Sequence, residues 1–93
     1  MESKFIAAWE ENRKKAAELG VNMRPVAPEE AMKAARRILS GRRLSDGFQQ
    51  LGARGRLDLS LEALAVDKRF TLLFSDEEAN EALTRLLEAG YFF

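Results

Sequence analysis

Helix starts and stops punctuate this chain at short intervals, and they restrict it to modest helices joined by tight turns. Gly20, Gly41 and Gly90 each follow a run with helical apolar spacing, where a glycine ends a helix. Leu44-Ser45, Leu59-Ser60 and Phe74-Ser75 each place an apolar residue and then a serine before a helix-like run. The serine hydroxyl accepts from an unpaired first-turn amide, and the apolar residue before it can staple onto that turn. The pairs recur every fifteen residues. The segments between them share little beyond the caps, so the spacing is read as coincidence and not as a repeat.

From this punctuation the sequence predicts an all-α fold, a small single-domain bundle of four to five helices spanning 1–93, with short capped helices in the middle. The first helix runs from Glu2 to Leu19, with Phe5, Trp9, Ala16 and Leu19 on one face and Gly20 as its stop. Glu10 with Lys14 and Glu11 with Lys15 form acid-first pairs on its wet side. The stretch Val21 to Ala27 contains Pro25 and reads as an ordered connection. A second helix starts at Pro28, buries Ala31, Met32, Ala35, Ile38 and Leu39, and closes at Gly41 in a left-handed conformation. A short third helix is capped by Ser45 and reaches Leu51, weakened by Gly47, and Gly52 and Gly55 then bracket a flexible turn. Leu57 to Leu64 alternates like a strand, but Leu61-Glu-Ala-Leu-Ala favours a short helix from Ser60 to Asp67. Phe70 to Phe74 reads as a buried connection. The last helix opens with a Ser75/Glu78 capping box, buries Ala79, Ala82, Leu83, Leu86 and Leu87, and stops at Gly90 with Tyr91 set against Leu86.

Ninety-three residues suit one domain with a radius of gyration of roughly 12 Å. With 46% hydrophobic residues, the chain is too apolar to be read as disordered. No apolar run approaches the length of a signal peptide core or a membrane span, and there is no cysteine, so a soluble, cytoplasmic protein without membrane association is expected.

The chain contains no histidine either, which removes the commonest general base, the usual nucleophile pairs and the commonest transition-metal ligands. No phosphate loop, dinucleotide motif or nucleophile elbow is present. Ser45, Ser60 and Ser75 read as caps, not as nucleophiles. Asp76, Glu77, Glu78 and Glu81 lie on successive directions of one helix and do not converge as a metal site would require. The expectation is therefore a non-enzymatic protein with no cofactor and no metal.

Fifteen basic and fifteen acidic residues cancel overall but are unevenly placed. Between residues 33 and 56 lie Lys33, Arg36, Arg37, Arg42, Arg43, Arg54 and Arg56 against Asp46 alone, and the final third is acidic. Arg36 and Arg37 suit the last turn of the second helix, and Lys33 can pair with Glu29. Arg42, Arg43, Arg54 and Arg56 have no such local reason, and arginine suits bidentate recognition of carboxylate or phosphate. The expected function is binding an acidic surface of a protein partner through these four, as an interaction or regulatory protein. The alternative is a nucleic-acid-binding adaptor that contacts the phosphate backbone, although the pI of 6.3 is low for that role and the region after Ser60 offers acid where a recognition helix needs cations. Tyr91, Phe92 and Phe93 either fold onto the core or stand out to complete a partner's groove or the oligomer seam of a homodimer.

Overall fold

The computed structural model describes residues 1–41 and 43–91. Among these there are five α-helices and no strand: α1 (Glu2–Glu18), α2 (Ala31–Ser40), α3 (Phe48–Ala53), α4 (Leu61–Ala65) and α5 (Asp76–Glu88). Three single turns of 3-10 helix, Pro28–Glu30, Leu57–Leu59 and Thr71–Leu73, lead into α2, α4 and α5. The radius of gyration is 11.9 Å. The segment from Leu57 to Leu64 is helical throughout except at Ser60, because Leu57, Leu59, Leu61 and Leu64 are all buried and the described residues contain no strand to pair with.

Two apolar clusters hold the elements together. Phe5 of α1 is fully buried and meets Phe70 and Phe74 edge-on, with ring centroids 5.4 and 5.3 Å apart. Met32, Ala35, Leu39, Leu61, Leu64, Ala65 and Ala82 complete this first cluster. The second joins Ala16, Val21, Phe48, Leu51, Leu57, Leu59 and Leu86, with Tyr91 half-buried against it. Trp9 packs against both.

Local chemistry accounts for most boundaries. The Ser75 hydroxyl accepts from the Glu78 amide at 3.1 Å, while the Glu78 carboxylate accepts from the Ser75 amide at 2.8 Å, the full capping box. Ser60 caps α4 by accepting from the Ala63 amide at 3.2 Å. α1, α3 and α5 end in the same Schellman arrangement, in which the amide two residues past the cap returns to the third-last helical carbonyl: Val21 to Ala16, Arg56 to Leu51 and Tyr91 to Leu86, at 2.8 to 2.9 Å. Tyr91 thus takes the predicted position against Leu86.

Several expectations are corrected. Ser45 does not cap α3: its hydroxyl and amide both donate to Glu62, and the N-cap is Gly47 at φ 76°. A Cβ at Gly47 would lie 2.7 Å from Val21 Cγ1, so this position requires glycine for space as well as for conformation. Gly52 lies inside α3, and the turn at Gly55 is an ordered helix end and not a flexible hinge. Gly41 is extended (φ −84°, ψ −178°) instead of left-handed, because its carbonyl accepts from Arg85. α2 buries Ala34 where Ile38 was expected, leaving Ile38 half-exposed. α5 is rotated so that Arg85 is buried and Leu87 exposed. On α1, Glu10 pairs with Arg13 one turn away and not with Lys14.

Candidate functional site

Of the four arginines of the basic middle, the three among the described residues, Arg43, Arg54 and Arg56, differ in their surroundings. Arg54, on the cap of α3, donates Nε–H to the Leu19 carbonyl at 2.8 Å and so satisfies the C-terminus of α1. Arg56 is half-buried and forms a bidentate pair with Asp58, at 3.1 and 3.3 Å. This pairing raises the guanidinium pKa further above its ordinary range. Arg36, one turn before the end of α2, donates to the Leu73 carbonyl at 3.0 Å. Arg42 and the aromatics Phe92 and Phe93 lie outside the described residues. Arg43 is exposed and, like Arg37, makes no hydrogen bond or ion pair among the described residues.

Arg37 and Arg43 line one groove of about 890 Å³ between α2, the 24–27 connection and the 43–46 turn. Val26, Ala34, Ile38 and Leu44 give it apolar walls, and Leu44 is 39% exposed there. Glu30 stands at the N-terminal end of α2 and the two free guanidinia at the other, seven residues apart between Glu30 and Arg37 and so about 10 Å. Arg24 also reaches this groove, but its guanidinium is held by Asp46, at 3.0 and 3.3 Å. The hydrogen bond from Arg24 holds the Asp46 carboxyl below the usual carboxylate range, against a smaller opposing effect of burial.

The groove is anchored from beneath by a network that the sequence did not disclose. Glu62 of α4 is fully buried, and Arg85 of α5 donates to it at 3.1 Å. Ser45 supplies Glu62 with its amide, at 3.1 Å, and its hydroxyl. The remaining Arg85 donors go to the Gly41 carbonyl at 2.8 Å, the Ile38 carbonyl at 3.2 Å and Glu81 at 3.4 Å. One guanidinium therefore closes the C-terminus of α2, while one carboxylate fixes the start of the 45–47 turn. Together they hold Gly41 and Ser45, both of which line the groove. Both Glu62 oxygens accept hydrogen bonds, Oε2 from the Ser45 amide and Arg85 and Oε1 from the Ser45 hydroxyl, so the Ser45–Glu62 contact is a clasp.

A second, more apolar groove of about 540 Å³ lies on the other side of the 24–26 segment. Ile6, Trp9, Pro25, Val26, Pro28 and Ala31 line it, with Arg13 and Arg24 at its rim. Both of these guanidinia are paired, with Glu10 and Asp46 respectively.

The acidic residues of α5 are distributed otherwise: Glu78 completes the capping box and Glu81 faces Arg85. No group of three carboxylates converges among the described residues, and none of their helices is long and apolar enough to cross a membrane. No protein-family model matches this chain, and neither the curated proteins nor the solved structures contain a significant match.

Proposed function

We propose that this protein is a non-enzymatic interaction module that binds an acidic segment of a protein partner through the α2 groove. The observation carrying this reading is the pair of exposed guanidinia, Arg37 and Arg43, unpartnered among the described residues, above the apolar surface of Ile38 and Leu44. Carboxylates of a partner would meet the arginines while aliphatic side chains cover the walls, the combination of polar rim and apolar centre that makes protein interfaces specific. Arg54 and Arg56 contribute less than their charge implies, since one caps α1 and the other is neutralised by Asp58.

Affinity capture from the native cell with the wild-type chain and with an Arg37→Glu/Arg43→Glu variant tests the reading. A protein recovered by the first and lost with the second, then bound directly in calorimetry by an acidic segment, is the expected result. An unchanged profile overturns it. Both substitutions are on the surface, and Arg37→Glu gives up a charge favoured at the C-terminal turn of α2, so the variant is expected to lose about 1 kcal/mol and to stay folded.

A further inference from the structure

The two grooves differ in charge but share Arg24, Pro25 and Val26 as a common wall. On the Trp9 side both rim arginines are neutralised by their own carboxylates, leaving an apolar cleft with no charge to offer. On the α2 side Arg37 and Arg43 are exposed without a counter-ion among the described residues. A single extended ligand crossing three residues of wall needs about 10 Å, or about three of its own residues.

We infer that the two grooves receive one polypeptide in two parts, an acidic run against Arg37 and Arg43 and an apolar anchor, a few residues away, in the cleft beside Trp9. This deepens the reading proposed above and rests on it. Charge complementarity assigns the parts: an acid in the Trp9 cleft would meet guanidinia already saturated by Glu10 and Asp46, whereas an apolar residue leaves those pairs intact and covers Ile6 and Trp9. Pro25, Pro28 and the aromatic Trp9 give the cleft stiff walls whose ordering costs little on binding. Arg24 lies at the crossing point, fixed there by Asp46.

A displayed library of random peptides selected against the whole chain supplies the probe, and the single tryptophan reports on it. Selected sequences are expected to combine Asp or Glu with a Leu, Phe or Met anchor at a constrained separation of roughly three to five residues, and a synthetic peptide of this kind should shift Trp9 emission. Ala7 is exposed at the cleft, so Ala7→Glu places a charge there without disturbing the core. It should weaken the anchored peptide by about tenfold, as expected for losing one buried apolar side chain, while leaving an anchor-free acidic peptide unchanged. Selected peptides that are acidic without a spaced anchor, bind through Arg37 and Arg43, and leave Trp9 emission and the Ala7→Glu variant unaffected would overturn this inference alone. Failure to select any acidic peptide, or binding indifferent to Arg37→Glu/Arg43→Glu, would overturn the reading beneath it as well.

Discussion

Glu62 sits in a Leu-Glu-Ala-Leu-Ala run where a carboxylate looks like part of the wet face, yet it is fully buried. Its environment is supplied by Arg85, twenty-three residues on, and Ser45, seventeen residues back, neither of which a helical window spans. A buried pair is a weak source of net stability but costly to break, because the survivor keeps its charge out of water. Glu62→Ala or Arg85→Ala should therefore cost about 3–5 kcal/mol in urea unfolding, while Glu62→Leu/Arg85→Met should recover part of that loss and no more, because the Ser45 amide and hydroxyl and the Gly41 carbonyl then lack these partners. A double variant no better than either single one would show that the clasp stabilises through more than satisfied charge. Asp46 gives the second residue-scale prediction. The Arg24 hydrogen bond depresses its folded pKa below the unfolded value of about 3.9. The stabilisation is therefore complete above the unfolded pKa and lost as pH falls through the lower, folded one. Carboxyl NMR titration should show Asp46 moving up toward its ordinary range in Arg24→Ala, with a shallower loss of stability in acid.

At the scale of the element, the boundaries that sequence reasoning placed well are those set within a few residues. The capping box of α5, the Ser60 cap of α4 and the glycine-terminated ends of α1 and α5 all depend on neighbours within about a turn and a half along the chain. Ser75→Ala should cost about 1 kcal/mol. Ser60→Ala should cost more, about 1–3 kcal/mol, because this buried hydroxyl makes two hydrogen bonds, accepting from the Ala63 amide and donating to the Leu57 carbonyl at 2.7 Å, and the Ala63 amide loses its partner. Thermal melts of the two variants side by side test that order. The misplaced start of α3 has the opposite origin. Ser45 has the residue type of a cap, but its amide and hydroxyl both donate to Glu62, so the helix begins later, on Gly47. The burial of Arg85 rotates α5 in the same way, turning Leu87 outward against its apolar pattern. Gly47→Ala should cost about 1–3 kcal/mol, combining a left-handed backbone with the close approach of Val21. A melt unchanged from wild type would mean that the 45–47 turn can rebuild itself.

For the whole molecule, the uneven charge along the sequence is a true feature of the chain but a poor measure of what it offers a partner. The all-α architecture was legible because helical apolar spacing and local caps agree with one another. The destination of the arginines was not, since Leu19 and Leu73, which accept from Arg54 and Arg36, are ordinary carbonyls 35 and 37 residues away. That redistribution bears directly on the nucleic-acid alternative. Duplex binding at physiological salt requires several phosphates to be neutralised at once, and its affinity falls with salt at a slope of about −0.9 per phosphate contact. Among the described residues of the groove, Arg37 and Arg43 are the guanidinia without a partner, and Arg42 adds at most one more charge from outside them. Any affinity for a labelled duplex should then show a slope no steeper than about −3 and be negligible by about 0.15 M salt. Fluorescence anisotropy between low and physiological salt measures this. A slope steeper than about −4 would require cations outside the groove to reach phosphate as well, either exposed lysines such as Lys33 or Arg36, Arg54 and Arg56 released from their present acceptors, and the phosphate-binding reading would then displace the acidic-segment one. A shallow slope, together with salt-resistant binding of an anchored acidic peptide, is the outcome that the apolar walls and the two-arginine rim predict.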